Sequence, residues 1–295
     1  MHNATATSPT PITSQPVRGT ALVRGLVGWL VVSGLVAAAG SLFFPDVLKG
    51  AAVIDGNLRG TAVVMLVVAV PLMMLGLRRT SLGDVRGLVV LMGATAYLTY
   101  QGVMFCFATP FNALFPAYVA LLGLGAWSLV ALVANVETGV VERWVGERTP
   151  FRAVSVALAL FAGLNALAWL SRIEPAVLAG APAVGLEGSG LLTSPVWVQD
   201  LAIWIPAAFI AARLMWRRQP RGVILADATL LFYALECVSV ASDQWWGARA
   251  DSSEPALASM AMVPGALVAA VVVAVPLVWS MRHLVPPREA ADLAG

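Results

Sequence analysis

Eight apolar stretches, each long enough to cross a bilayer, constrain this chain more than any motif in it. They run over about 21–44, 60–77, 87–108, 112–134, 153–171, 196–214, 222–242 and 257–280. A crossing needs roughly 20 apolar residues wound as a helix, because inside lipid the backbone must satisfy its own hydrogen bonds. Charge is correspondingly scarce: 12% of the 295 residues are charged, about half the usual share of a soluble domain. The expected fold is therefore an all-α integral membrane protein with eight transmembrane helices and the lipid bilayer as its main partner.

The connections set the expected orientation. Arginines cluster on alternate connections: Arg18/Arg24, Arg78/Arg79/Arg86, Arg143/Arg148/Arg152, Arg213/Arg217/Arg218/Arg221 and Arg282/Arg288. The intervening connections hold Asp46, Asp55, Glu174, Glu187, Asp243, Asp251 and Glu254. By the positive-inside rule both termini are cytoplasmic, which an even number of crossings requires. Residues 1–20, rich in Ser, Thr and Pro, read as a disordered cytoplasmic tail, and 284–295 as a second tail. The first apolar stretch resembles a signal peptide in its flanking Arg18 and Arg24 and in Ala37-Ala38-Ala39. It stays apolar through Leu42-Phe43-Phe44, which favours an uncleaved helix. Lys49 is the single lysine among 18 basic residues, and Ala, Val and Gly abound. That bias suggests a GC-rich bacterial genome and hence the inner membrane.

A repeat emerges from rare residues. Pro71 recurs 135 positions later as Pro206, Arg78 as Arg213, and Arg86-Gly87 as Arg221-Gly222, without a gap. Phe115-Pro116 joins Val263-Pro264 if one loop of the second half is 13 residues longer. These matches predict a 4+4 parallel tandem repeat, with four-helix halves at 21–134 and 153–283 and a cytoplasmic linker at 135–152. The competing reading is chance resemblance between hydrophobic segments.

The same offset sets Gln101, Ala108, Met65 and Met92 against Glu236, Asp243, Asp200 and Asp227, so all these acids fall in the second half. Glu236 and Asp243 are two helical turns apart and share a face with Ser239. Tyr97, Gln101, Ala108 and Asn112 form a corresponding face in the first half. Carboxylates at membrane depth are costly and face the bundle interior or a wet cavity. Glu236, Asp243, Asp200 and Gln101 are therefore candidates for binding a ligand or proton in an outward-facing polar cavity. Asn112, in the tight turn Thr109-Pro110-Phe111-Asn112, and Arg59, a cation in an acidic layer that would either pair with Asp200 or Asp243 or be only a flanking interfacial charge, are further candidates. The alternative for Glu236 is a neutral helix contact bonded to Gln101, a serine or a carbonyl. Asp227, on the opposite side of its helix, is expected to pair with an inner arginine.

Several functions are excluded or disfavoured. A net charge of +2 argues against nucleic acid. His2 and His283 are the only histidines, which removes bis-His haem and histidine metal sites, and a lone lysine in a loop removes buried Schiff-base chemistry. No metal or cofactor is expected. Cys106 and Cys237 read as ordinary buried hydrophobes, a disulfide or redox pair being the other reading. Trp29, Trp127, Trp144, Trp197, Trp216, Trp245, Trp246 and Trp279 read mostly as interfacial anchors. The best functional reading is a transporter-like or ligand-binding protein for a small polar or cationic solute. A membrane enzyme acting on a lipid or lipid-linked substrate, with Glu236 as acid and Asp243 as base, is disfavoured by the missing nucleophile and by a separation of about 10 Å along the helix. A structural or accessory subunit is the third reading.

Overall fold

The computed structural model describes residues 15–44 and 46–287, so His2, Arg288 and most of both expected tails lie outside the described residues. Among the described residues there are nine helices: α1 (Thr20–Phe43), α2 (Ala52–Ser81), α3 (Val85–Phe107), α4 (Phe115–Ala134), the short α5 (Thr138–Trp144), α6 (Phe151–Ala179), α7 (Pro195–Trp216), α8 (Pro220–Ala250) and α9 (Met262–Arg282). All but α5 are long and apolar enough to cross a membrane, and the protein is a multi-pass helical membrane protein. Their outward faces expose Leu160, Leu164 and Leu167 on α6 and Val268, Val271 and Val275 on α9, the apolar surface that lipid covers.

Three helices outrun their apolar stretches. α2 begins at Ala52, about two polar turns early, and α8 runs on to Ala250. The two extensions pack on each other, Gly56 of α2 lying against the backbone of Trp246 and Gly247. α6 continues to Ala179 through Pro175, which hydropathy alone reads as a stop. α4 starts later than expected because Asn112 builds a turn: its Oδ1 accepts from Leu114 N at 2.9 Å and its Nδ2 donates to the Pro110 carbonyl at 3.1 Å.

Two proline-bearing spans share one irregularity. In α2 the residues Met65–Ala69 form a π-helical turn, and in α7 the residues Asp200–Trp204 do. Each widened turn ends just before the Val70-Pro71 or Ile205-Pro206 step. Proline lacks an N–H and its ring crowds the preceding turn, so a π turn absorbs the mismatch without breaking the span.

α8 is the hub of the bundle, packing along α2, α3, α7 and α9, while α1 packs on α4 and α6 on α7. Close approach depends on glycine at Gly60, where an added Cβ would stand 2.7 Å from the Ser242 backbone. Both ends of the described residues pack on the arginine-rich face. Val17 bridges to Val136 and Leu284 to Val145, Arg18 pairs with Glu137, and Arg86 Nε donates to the Leu284 carbonyl at 2.8 Å. Residues 15–19, at the end of the segment expected as a free tail, are thus packed against the connection around α5. On the same face Asp84 caps α3, accepting from Arg86 N at 2.8 Å and pairing with Arg79 at 3.3 Å.

Candidate functional site

The site is built on the middle of α8. Glu236 is sixteen residues from the helix start at Pro220 and fourteen from its end at Ala250, at about the midpoint of the helix. Gln101 of α3 donates its Nε2 to Glu236 Oε1 at 2.8 Å. One turn along the same face, Tyr97 donates its hydroxyl to Ser239 Oγ at 3.0 Å. A further turn on, Thr61 of α2 donates to Asp243 Oδ1 at 2.9 Å, while Ser242 Oγ donates to the Gly60 carbonyl at 2.9 Å. The Asn57 amide, with its nitrogen turned toward its acceptors, donates to the Asp243 carbonyl at 2.8 Å.

Asp200 approaches from α7, at the first residue of the π turn. It is buried and receives Trp169 Nε1 at 2.7 Å and Asn165 Nδ2 at 3.3 Å, both from α6, with the Tyr100 hydroxyl of α3 near it. Asp200 and Asp243 both lie within electrostatic reach of Glu236, and Glu236 and Asp243 keep part of their surface accessible. Aromatic rings wall the group: Trp204 stacks on Phe232 at 4.7 Å, Tyr100 lies 5.6 Å from Phe232, and Tyr233 lies 4.9 Å from Phe161. Two buried polar groups beside Asp200 have capacity to spare. Gln199 accepts from Trp204 Nε1 at 3.1 Å but its own Nε2 has no partner, and the Tyr233 hydroxyl faces Asn165 without a well-formed hydrogen bond.

The structure thus brings together Glu236, Asp243, Asp200 and Gln101. It places Asn112 elsewhere. Asn112 is spent on its own turn, and Arg59 sits on α2 one helical turn from Asp55, with which it interacts electrostatically. Asp227 is fully buried, and its bonded partner is Ser280 of α9 at 2.9 Å, a serine where an arginine was expected. Cys106 and Cys237 are free thiols. Among the described residues no group of three or more His, Cys, Asp or Glu is arranged to hold a metal ion.

A cavity of about 500 Å³ opens on the face away from the arginines, with mainly apolar walls from Val103, Phe107, Ala108, Leu191, Pro195 and Val198. None of the six candidate residues lines it. A second depression of about 440 Å³ beside Arg24 and Arg78 lies on the arginine face, away from the carboxylates.

Sequence reasoning missed Asn165, Trp169, Gln199 and Tyr100. A signal was there: Asn165 and Trp169 are four apart in an otherwise apolar stretch and so share one helical face, and Gln199 adjoins Asp200. Chemically, three carboxylates held by amide, indole and hydroxyl donors suit the holding of a cation or a proton. Compared with models of protein families, with curated proteins and with solved structures, the chain matches none of them.

Proposed function

We propose that this protein is a transporter-like, solute-binding membrane protein, built from two parallel four-helix repeats, with Glu236, Asp200, Asp243 and Gln101 as the binding centre for a small organic cation. The observation behind it is the contact of Gln101 with Glu236, two residues 135 positions apart that are equivalent under the repeat. Gly93 and its equivalent Ala228 also meet, an added Cβ at Gly93 falling 2.9 Å from the Ala228 carbonyl. The two meetings are eight residues apart, about 12 Å along the helices. Equivalents facing each other at two heights support an axis running along the helices, the geometry of a parallel repeat; an axis in the membrane plane would bring them together at one height. The paired π turns at Met65–Ala69 and Asp200–Trp204, also 135 apart, support the same reading. By positive-inside reasoning the arginine face is cytoplasmic and the cavity opens outward.

Three carboxylates, two of them within electrostatic reach of the third, in an otherwise apolar, aromatic-rich bundle suit a cation. Protonation of Glu236 releases it. The titratable groups within electrostatic reach of Glu236 are Asp200 on α7, Asp243, Tyr233 and Cys237 on α8, and Tyr97 and Tyr100 on α3. The test is calorimetric binding of tetramethylammonium to the purified full chain between pH 5 and pH 8. Binding should weaken as pH falls, and Glu236→Gln should abolish it while the helical circular dichroism is kept. Unchanged affinity and pH dependence in Glu236→Gln would defeat the reading.

The 2.8 Å Gln101–Glu236 bond favours a second reading, a polar contact that joins the two halves. On that reading Glu236→Gln stays folded and neither protein binds the probe.

A further inference from the structure

The depression of about 440 Å³ on the arginine face is cut between α1 and α2. Arg24 of α1 stands on one side, and Met74, Leu77, Arg78, Ser81 and Leu82, at the end of α2, on the other. Those five fall at i, i+3, i+4, i+7 and i+8, and so form one helical face. That face grades from polar to apolar. Arg78 and Ser81 lie in the last turn of α2, and Met74, one turn deeper, is 55% exposed. Pro71 and Val67 continue the row below Met74 and are exposed as well. From Arg78 to Val67 the row runs about 16 Å along the helix, an apolar track that begins at a cation.

The two arginines of the depression have no counter-charge. Elsewhere on this face Arg18 pairs with Glu137 and Arg79 with Asp84, while Arg152 and Arg218 lie over the rings of Trp216 and Phe151. Among the described residues Arg24 and Arg78 have neither an ion pair nor a hydrogen bond, and both are exposed. Ser81 does not occupy them: its hydroxyl donates to the Leu77 carbonyl at 2.9 Å, and its carbonyl accepts from Gln15 Nε2 at 3.1 Å. The second bond ties the segment ahead of α1 to the end of α2 and so fixes the rim. Guanidinium forks match the oxygens of a phosphodiester. Basic pockets between membrane helices take anionic headgroups because the phosphate supplies the missing charge while its chains lie along the apolar helix faces.

We infer that this depression binds an anionic diacyl phospholipid of the leaflet on the arginine face. The phosphodiester lies between Arg24 and Arg78, and one acyl chain runs down α2 past Met74 toward Pro71 and Val67. Charge complementarity selects an anionic headgroup over a zwitterionic one, whose own cation would be brought against two arginines. The exposed apolar row selects a lipid over free phosphate. This site is separate from the proposed solute-binding centre and does not depend on it.

Native mass spectrometry of the purified full chain in dodecyl maltoside tests it through the first lipid-binding constant, with dioleoyl phosphatidylglycerol, dioleoyl phosphatidylcholine and glycerol phosphate as probes. Phosphatidylglycerol should bind at least fivefold more tightly than phosphatidylcholine, and excess glycerol phosphate should not displace it. Arg24→Gln combined with Arg78→Gln should weaken phosphatidylglycerol at least fivefold. Both arginines are exposed and unbonded, so neither change removes a contact of the fold. Arg217→Gln combined with Arg221→Gln removes the same charge from two exposed arginines at the ends of α7 and α8, and should leave the affinity within twofold. The inference is overturned if phosphatidylglycerol binds no better than phosphatidylcholine, or if the two arginine pairs have equal effects. Displacement by glycerol phosphate would overturn it too, by making the depression a site for free phosphate.

Discussion

Gln101 and Glu236 meet across 2.8 Å, and the interval between them in the chain is the one that separates Pro71 from Pro206. The acidic member stands in the second half of the chain, as do Asp200 and Asp243.

That contact should be measurable as a coupling. In a double-mutant cycle of Gln101→Leu and Glu236→Leu, read by thermal unfolding in mild detergent, we expect an interaction of about 1 kcal/mol, within the range of polar contacts between membrane helices. Additivity within about 0.3 kcal/mol would mean the two side chains do not depend on each other.

The glycine seam gives a sharper contrast. Gly60→Val places side-chain atoms against the α8 backbone and should cost about 1–3 kcal/mol by overpacking. Gly123→Ala, on α4, meets nothing within 4 Å and should be neutral or stabilising by up to about 1 kcal/mol through helix propensity. Equal effects of the two changes on the unfolding temperature would contradict the close α2–α8 packing.

Trp169→Phe keeps an aromatic ring but removes the indole donor to Asp200. A hydrogen bond to a charged group is worth about 1.5–3 kcal/mol, so stability should fall by that order. The loss should be smaller in an Asp200→Ala background, where no acceptor remains. A Trp169→Phe effect of the same size in both backgrounds would place the contribution of Trp169 in ring packing.

Reporter fusions test the orientation. Alkaline phosphatase fused within 181–193 or 252–260 should be active in bacterial cells, and fused at 146–149 or after 287 it should be inactive. The reverse pattern would invert every statement about which face is outside.

The eight long apolar helices were legible in the sequence because lipid enforces long apolar runs. The ends of α2, α6 and α8 were not. Ala52–Gly60 and Asp243–Ala250 are too polar to score as membrane segments, and they are helical because Gly56 and Gly60 let them pack on each other. At the site, Glu236, Asp243, Asp200 and Gln101 stood out as polar residues in apolar runs, and the structure gathers them. Asn165 and Trp169 did not stand out, because their role depends on how α6 lies against α7, which no local pattern specifies. The cavity was expected to be polar, yet its walls are Phe107, Leu191 and their neighbours; which helices part at a seam is decided by packing between segments far apart in the chain.

The most direct test of the account is chemical access to position 236. In a background of Cys106→Ala and Cys237→Ala, Glu236→Cys would be exposed in intact cells to a membrane-impermeant, cationic methanethiosulfonate reagent. The account predicts modification from outside. No modification in cells, with complete modification after denaturation, would contradict it and make Glu236 a packed contact between the two halves.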